Sequence, residues 1–121
     1  MKKEDYIFIK HILESIGDIE SFTKEISKDV FFKNKEKQNA VVRSLEVIGE
    51  AVKNIPDNLK KKYSSVPWRE ISGTRDKIIH HYFGVNLDIV WDIIKKDLPD
   101  LKQNILKVKK DLEVKKKGDV K

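Results

Sequence analysis

Hydrophobic residues recur along this chain at intervals of three and four, the spacing that places them on one face of an α-helix. The pattern covers residues 3–27, residues 35–54 and the region from residue 86 onward. His11 lies off the apolar stripe of the first of these helices, so we expect its side chain at the surface. No stretch alternates as a half-buried strand does. The pattern predicts an all-α fold, an up-and-down bundle of four to five helices. Its three stripes are Ile9, Ile12, Leu13, Ile16, Ile19, Phe22 and Ile26; Val41, Leu45, Ile48, Val52 and Ile55; and Leu87, Trp91, Ile94, Leu98, Leu101, Ile105, Val108 and Leu112.

Proline, glycine and asparagine mark the expected ends of the helices. Pro56 ends the second helix, because the residue before a proline is pushed out of the α region. After a short helical turn, Pro67 suits the start of a further helix, which Gly84 ends as a left-handed cap. Asn86 is the expected N-cap of the last helix. Pro99 interrupts that helix but not its apolar seam, so we expect a kink there rather than a chain reversal.

The 121 residues suit one domain, with 38% charged residues, 39% hydrophobic residues and no cysteine. The net charge of +6 favours polyanionic partners. Much of the excess lies in lysines between residues 107 and 121, where a solvated tail explains it equally well. We expect a domain over residues 1–114 and a flexible lysine-rich tail over residues 115–121. Neither a signal peptide nor a run of about 20 apolar residues is present, which predicts a cytoplasmic protein.

The segment between residues 67 and 84 holds the least expected residue of the chain. On a continuous helix, which turns about 100° per residue, Arg75 falls in the middle of the apolar stripe. A permanently charged guanidinium there needs a carboxylate, a phosphate or a water-filled cleft. His80 points about 140° away from Arg75 on the same helix. The two can share a site only through the long arginine side chain, a helix distorted at Gly73, or a second copy of the chain that completes the cleft.

Glu46 and Glu50 lie one turn apart on the polar side of the second helix. They are either exposed carboxylates, with Glu46 in an i,i+3 ion pair with Arg43 worth a few tenths of a kcal/mol, or groups that orient a catalytic residue or face a partner subunit. A purely structural alternative pairs Arg75 with Glu50 and leaves His80 as a surface histidine held by Asp76. The pattern of the chain alone leaves both interpretations open.

A motif in this segment resembles that of a known family. Residues 75–82 are Arg-Asp-Lys-Ile-Ile-His-His-Tyr, which fits Arg-x4-His-x-Tyr and is similar to the motif of the HepT-like ribonuclease toxins of the HEPN superfamily. The resemblance spans about residues 5–112. Other landmarks of that family follow in its order: Ile48-Gly49-Glu50-Ala51, Pro67-Trp68-Arg69-Glu70-Ile71 followed by Gly73, Tyr82-Phe83-Gly84, and Asp97-Leu98-Pro99.

The resemblance implies a homodimeric helical bundle that cleaves RNA without a metal or other cofactor. It also implies a toxin–antitoxin pair, in which the antitoxin is an MntA-like minimal nucleotidyltransferase that transfers AMP from ATP onto the motif tyrosine. Carried over residue by residue, the family's motif makes Arg75 and His80 catalytic and Tyr82 the modified residue. Glu50 is a candidate for a supporting role.

The residue types suit this chemistry. When RNA is cleaved by its own 2′-hydroxyl, one proton leaves that oxygen and another reaches the leaving 5′-oxygen, and the imidazole of His80 can move protons near neutral pH. The guanidinium of Arg75 can hold two oxygens of the negatively charged phosphorane. Asp76, one helical turn before His80, is expected to fix the tautomer of the imidazole. No set of Asp, Glu and His residues has the spacing of metal ligands.

Two other functions are compatible with the same residues. One is a non-catalytic helical partner that docks onto a nucleotidyltransferase and regulates it, with Arg75 binding the phosphate of a nucleotide. The other is a structural dimerisation module. The module is disfavoured, because a scaffold has no need of a charged residue on its core-facing stripe.

Overall fold

The computed structural model describes residues 3–80 and 84–119, and within these ranges the predicted all-α fold is confirmed. A π-helical turn at Ile93–Asp97 joins the last two helices into one, and a pair of two-residue strands precedes them. No helix of the described ranges is long and apolar enough to cross a membrane. The elements are α1 Lys3–Thr23, α2 Lys28–Lys33, α3 Lys35–Lys53, α4 Asp57–Lys62, α5 Trp68–Ser72, α6 Thr74–Ile78, β1 Ile79–His80, β2 Gly84–Val85, α7 Leu87–Asp92 and α8 Leu98–Asp119.

Polar side chains cap the helices where the chain turns. Ser27 and Asn34 each accept a hydrogen bond from a backbone N–H three residues further on, at the starts of α2 and α3. Asn86 accepts one from the N–H of Ile89 at 3.1 Å, which confirms its predicted role as N-cap of the last helix. Each cap satisfies a backbone donor that the first helical turn leaves without a partner. The left-handed φ of 62° at Glu25 ends α1 earlier than predicted, since a helix cannot continue through it.

The three predicted apolar stripes meet in one core. Phe31 of α2 adds a completely buried ring that lies 5.4 Å from the ring of Trp91, so the segment after α1 is a helix that covers the core rather than a connector. The buried members of the stripes are Ile9, Ile12, Ile16 and Ile19 of α1; Val41, Leu45, Ile48 and Val52 of α3, with Ile55 just beyond it; and Ile94, Leu98, Leu101, Ile105, Val108 and Leu112 of the last helix.

A close approach of two helices occurs at Gly49. α3 packs against α1 on one side and against α5 and α6 on the other. A Cβ atom added at Gly49 would lie 3.6 Å from the carbonyl oxygens of both Ile71 and Ser72 of α5. A glycine inside a helix costs about 1 kcal/mol relative to alanine, and the close helix–helix contact that the missing side chain allows compensates for this cost.

The predicted continuous helix over residues 67–84 is wrong. It breaks first at Gly73, which separates α5 from α6. The hydroxyl groups of Ser72 and Thr74 on either side donate hydrogen bonds to carbonyl oxygens of the preceding turn, at Arg69 and Glu70. Such bonds from serine and threonine compete with the regular helical pattern and bend the chain. The segment is therefore not one regular helix from Pro67 onward.

The helical segment then ends at Ile78, six residues before Gly84. The β-branched Ile78 and Ile79 and the histidine that follows favour extended backbone, and Ile79 and His80 pair antiparallel with Val85 and Gly84. The carbonyl oxygen of Ile78 accepts a hydrogen bond of 2.7 Å from the N–H of Asn86. Gly84 adopts the expected left-handed conformation, with a φ of 75°, but within this pairing and not as a helix cap.

The last helix passes through Pro99 without a chain reversal. Its irregular turn lies just before the proline, where the N–H of Leu98 donates to the carbonyl oxygen of Ile93, five residues earlier. A proline ring clashes with the carbonyl group four residues before it, and a widened π-turn at that place gives the ring room. The chain stays helical to Asp119. This helix therefore continues past the boundary predicted between the domain, residues 1–114, and the lysine-rich tail, residues 115–121.

Two tyrosine hydroxyl groups tie the end of α8 to the rest of the bundle. Tyr6 donates a hydrogen bond of 2.6 Å to Glu113, and Tyr63 donates one of 3.2 Å to Asp111. The hydrogen bond to Glu113, together with burial, raises the pKa of Tyr6 to about 12. Burial and the nearby Asp111 also raise the pKa of Tyr63. Both hydroxyl groups therefore stay protonated, and both contacts stay intact, across the neutral range.

The contact at Gly49 predicts opposite effects for a small and a large substitution. Gly49→Ala should leave the stability unchanged or raise it by up to about 1 kcal/mol, because helix propensity improves and the new methyl group makes ordinary contacts at 3.6 Å. Gly49→Leu should lower the free energy of unfolding by about 1–3 kcal/mol, since the longer side chain pushes α5 away from α3. Urea unfolding followed by circular dichroism measures both. A Gly49→Leu protein as stable as wild type would contradict the close packing of α5 on α3.

Candidate functional site

A groove open to solvent, with a volume of about 550 Å³, runs over the outer face of α3. α3 forms its floor. Phe8 and His11 of α1 line one side, and Ser72, Arg75 and Asp76 of the α5–α6 segment line the other. The groove is polar, because the face of α3 that bears it is the one turned away from the core.

Arg75 extends from α6 into this groove, and 64% of its side chain is exposed. Its predicted position on a core-facing stripe is wrong, because the side chain is largely exposed. The prediction assumed one continuous helix, which is interrupted at Gly73. Trp68 before the break and Ile78 after it are both buried. Of the environments that a guanidinium needs, Arg75 has two: a carboxylate and an open cleft.

The carboxylate beside Arg75 belongs to Glu46. Oε2 of Glu46 lies 3.7 Å from Nε of Arg75, and only 33% of the glutamate side chain is exposed. Glu46 belongs to the long helix α3 and Arg75 to the short helix α6. The carboxylate therefore gives one edge of the Arg75 guanidinium a partner on a longer, better supported element. An ion pair through Nε leaves the Nη donors available for another anion, such as a phosphate.

Glu50 and Asp76 line the same groove as Arg75. The structural alternative that paired Arg75 with Glu50 is wrong, because Glu46 takes that place and Glu50 lies 3.4 Å from Nζ of Lys53. Asp76 is exposed. Within residues 3–80 and 84–119, no three His, Asp or Glu side chains come close enough together to hold a metal ion.

The position of His80 differs from the one that helical geometry predicts. Its backbone lies in β1 opposite Gly84, so the angle of about 140° calculated from Arg75 on an ideal helix does not apply. The helical i to i+4 relation between Asp76 and His80 is absent for the same reason. Only the backbone of His80 belongs to the described structure, and Tyr82 lies outside the described residues.

Phe8, His11 and Arg43 are among the residues that line the groove. None of these three was assigned a function from the sequence. His11 is exposed, as predicted. Its place off the apolar stripe of α1 indicated exposure and nothing more. Its proximity to the groove depends on how α1 packs on α3, a long-range contact that helical periodicity does not encode.

Comparison with known proteins places most of the chain in one family. The family model "Ribonuclease HepT-like" matches residues 12–108. The Methanocaldococcus jannaschii protein MJ0127, named as a candidate RNase, is 48% identical over 112 residues, which cover 93% of each chain. The probable ribonuclease HepT of Thermococcus cleftensis is 44% identical over 110 residues, 91% of this chain and all of the relative.

A third relative is longer. The M. jannaschii protein MJ0434, named as a γ-glutamylcyclotransferase and candidate RNase, is 47% identical over 113 residues. These residues cover 93% of this chain but 51% of that relative, so this chain spans about half of its length. No solved structure matches the chain.

The contact between Glu46 and Arg75 predicts that Glu46 positions the arginine. Because the ion pair is long and the Arg75 side chain is largely exposed, Glu46→Gln should change the free energy of unfolding by less than about 1 kcal/mol. Cleavage of RNA, the activity that the resemblance implies, should fall about 10- to 100-fold in kcat, because a misplaced catalytic group loses rate rather than stability. Urea unfolding and initial cleavage rates measure the two effects.

Glu50→Gln is the matched control for that variant. Its carboxylate lies on the same helix one turn away but pairs with Lys53 rather than Arg75, so its effect on kcat should be smaller. A larger loss with Glu50→Gln than with Glu46→Gln would assign the supporting role to Glu50 and contradict the role given to Glu46.

Proposed function

The chain belongs to the HepT-like ribonuclease family, and from this premise we propose that it is a metal-independent endoribonuclease, the toxin of a toxin–antitoxin pair. Arg75 and His80 are its catalytic residues, and RNA is its substrate. The observation that carries the proposal is the exposure of Arg75 in an open groove with a carboxylate on its Nε edge. An exposed guanidinium of this kind is better suited to bind an anionic ligand than to stabilise the core of the bundle.

The proposed reaction is transesterification at the 2′-hydroxyl. His80 takes a proton from that hydroxyl group or gives one to the leaving 5′-oxygen, and the oxygen attacks the adjacent phosphorus atom while the bond to the 5′-oxygen breaks. Arg75 stabilises the charge that gathers on the phosphorane oxygens. The products are a strand ending in a 2′,3′-cyclic phosphate and a strand with a free 5′-hydroxyl group.

Two copies of the chain are proposed to complete the cleft. A symmetric dimer places two Arg75–His80 motifs face to face, which supplies a second imidazole, so that one histidine serves as base and the other as acid. The proposal is supported by the exposure of the Arg75 side chain, which another protomer can approach from solvent.

The antitoxin is proposed to be an MntA-like nucleotidyltransferase that transfers AMP from ATP onto the hydroxyl group of Tyr82. The bond formed joins the tyrosine oxygen to the α-phosphorus, and pyrophosphate leaves. The added phosphodiester carries a negative charge two residues from His80, and the adenosine adds bulk. Both oppose the binding of substrate phosphate to Arg75.

The ribonuclease proposal predicts cleavage that survives removal of divalent cations. Purified protein in EDTA should cut a single-stranded RNA and leave 2′,3′-cyclic phosphate ends, and His80→Ala should lose at least about 100-fold in kcat, since general acid–base catalysis contributes about that much or more. Arg75→Lys should also lose activity, because lysine keeps the charge but not the two-pronged geometry. Gel analysis and mass spectrometry of the products provide the measurement.

Lys96→Ala, prepared in parallel, is the control for contaminating nucleases, because Lys96 is an exposed cation outside the groove. It should cleave RNA as wild type does. Equal cleavage by wild type and His80→Ala would refute the catalytic assignment. RNA or nucleotide binding without cleavage by wild type would favour the regulatory partner of a nucleotidyltransferase instead.

The switch at Tyr82 has its own test. Tyr82→Phe should retain ribonuclease activity, because the hydroxyl group is assigned to regulation and not to catalysis. It should also escape inactivation when incubated with an MntA-like nucleotidyltransferase and ATP, whereas wild type gains the mass of one AMP group and loses activity. If the enzyme silences Tyr82→Phe as readily as wild type, the modified residue lies elsewhere.

A further inference from the structure

An aromatic pair lies on the α1 side of the groove, across α3 from Arg75. The rings of Phe8 and His11 meet edge to face, with centroids 6.2 Å apart and an interplanar angle of 85°. Phe8 is half-buried and packs against the core, whereas His11 is exposed. The half-buried phenyl ring supports the exposed imidazole along one edge. An exposed ring supported by a fixed one resembles the platforms on which proteins stack unpaired nucleobases.

A cation without an ion-pair partner in the described structure lines the same groove as this pair. Arg43 lines the groove and is exposed, and it forms no ion pair within residues 3–80 and 84–119. The groove's other two cations differ in this respect, since Lys53 and Arg75 pair with Glu50 and Glu46. Arg43 therefore has its full set of donors available for a phosphate.

The carboxylates of α3 in the groove are each paired with a cation other than Arg43. At about 100° per residue, Glu46 falls on the surface of α3 between Gly49, which packs on α5, and Arg43, and it pairs with Arg75. Glu50 falls about 20° from Arg43, two turns further along the helix, and it pairs with Lys53. Asp76 belongs to α6. The groove thus offers an exposed imidazole together with a guanidinium whose neighbouring carboxylates on α3 pair with other cations.

We infer that the α1 side of the groove is a binding subsite for single-stranded RNA, in which a nucleobase stacks on His11 and Arg43 holds a neighbouring phosphate. The inference rests on the proposed ribonuclease function, which places the reacting phosphate at Arg75 on the other side. A single strand is required, because the bases of a duplex stack on one another and are not free to stack on protein. His11 and Arg43 are thus substrate-binding residues rather than catalytic ones.

Binding to an uncleavable RNA tests the subsite apart from catalysis. The probe is a fluorescent ten-nucleotide single strand with 2′-O-methyl groups, which lacks the attacking hydroxyl. Anisotropy titration should show that His11→Ala raises the Kd about 5- to 150-fold, the range for one stacked base. His11→Tyr should restore most of the affinity, because it keeps an aromatic face. With cleavable RNA, His11→Ala should raise KM and leave kcat within about twofold.

The salt dependence separates the phosphate contact from the stacking contact. Arg43→Ala should reduce the slope of log Kd against log salt concentration by about 0.7, the value for one phosphate contact to a single strand. His11→Ala should leave that slope unchanged. Lys96→Ala removes an exposed cation outside the groove, and it should change neither the Kd nor the slope beyond experimental error.

Several results would overturn the subsite. It is refuted if His11→Ala and Arg43→Ala bind the probe as tightly as wild type, or if His11→Tyr binds well but loses kcat, which would make His11 a proton-transfer group. It is also refuted if AMP displaces the probe at similar concentrations, since a mononucleotide pocket would then explain the binding. A changed dimer dissociation constant with unchanged RNA binding would assign this face to a second copy of the chain.

Failure of the subsite and failure of the ribonuclease proposal are distinguishable. Unchanged probe binding by both variants, in a wild-type protein that cleaves RNA, refutes the subsite and leaves the ribonuclease in place. A wild-type protein that cleaves no RNA but binds the probe through His11 and Arg43 retains the subsite and refutes the catalytic function.

Discussion

The close packing of α5 on α3 is the constraint on which the groove depends. Because Gly49 has no side chain, the carbonyl groups of Ile71 and Ser72 lie directly against the backbone of α3. The chain then bends at Gly73 and starts α6 beside the polar face of α3. The position of Arg75 over Glu46 follows from these two steps. A bulkier residue at Gly49 would move Arg75 together with α5 and α6, which pack on α3.

The ion pair between Arg75 and Glu46 contributes little to the stability of the fold and leaves the guanidinium accessible to a ligand. The ion pair of Arg75 with Glu46 is long, at 3.7 Å, and the arginine side chain is largely exposed, so the contribution of the pair to the folded state is small. The same exposure keeps the guanidinium free of a large desolvation penalty and leaves its outer donors open to solvent. Glu46 therefore acts on where Arg75 points more than on whether the chain folds.

Helical periodicity predicted the core well and the site only in part. The stripes of α1, α3 and α8 are buried as expected, because each depends on a regular repeat within one element. The wheel that placed Arg75 on the core side failed at Gly73, where hydroxyl groups of Ser72 and Thr74 compete for backbone carbonyls. The motif itself identified the family from residue identity and order, which do not require the helix to be continuous.

The remaining features of the groove arise from contacts between distant segments, which no local pattern contains. His11 and Arg75 are 64 positions apart in the sequence, yet both line the surface of α3. One of the interpretations left open by the sequence paired Arg75 with Glu50, whereas the structure places Glu46 beside it. α3 packs against both flanking segments, so Arg75 and the Phe8–His11 pair line one surface. In the proposed function, Arg75 binds the phosphate that reacts, and His11 stacks on a base of the neighbouring RNA. A substrate that spans α3 would meet both, whereas a single nucleotide would meet only one.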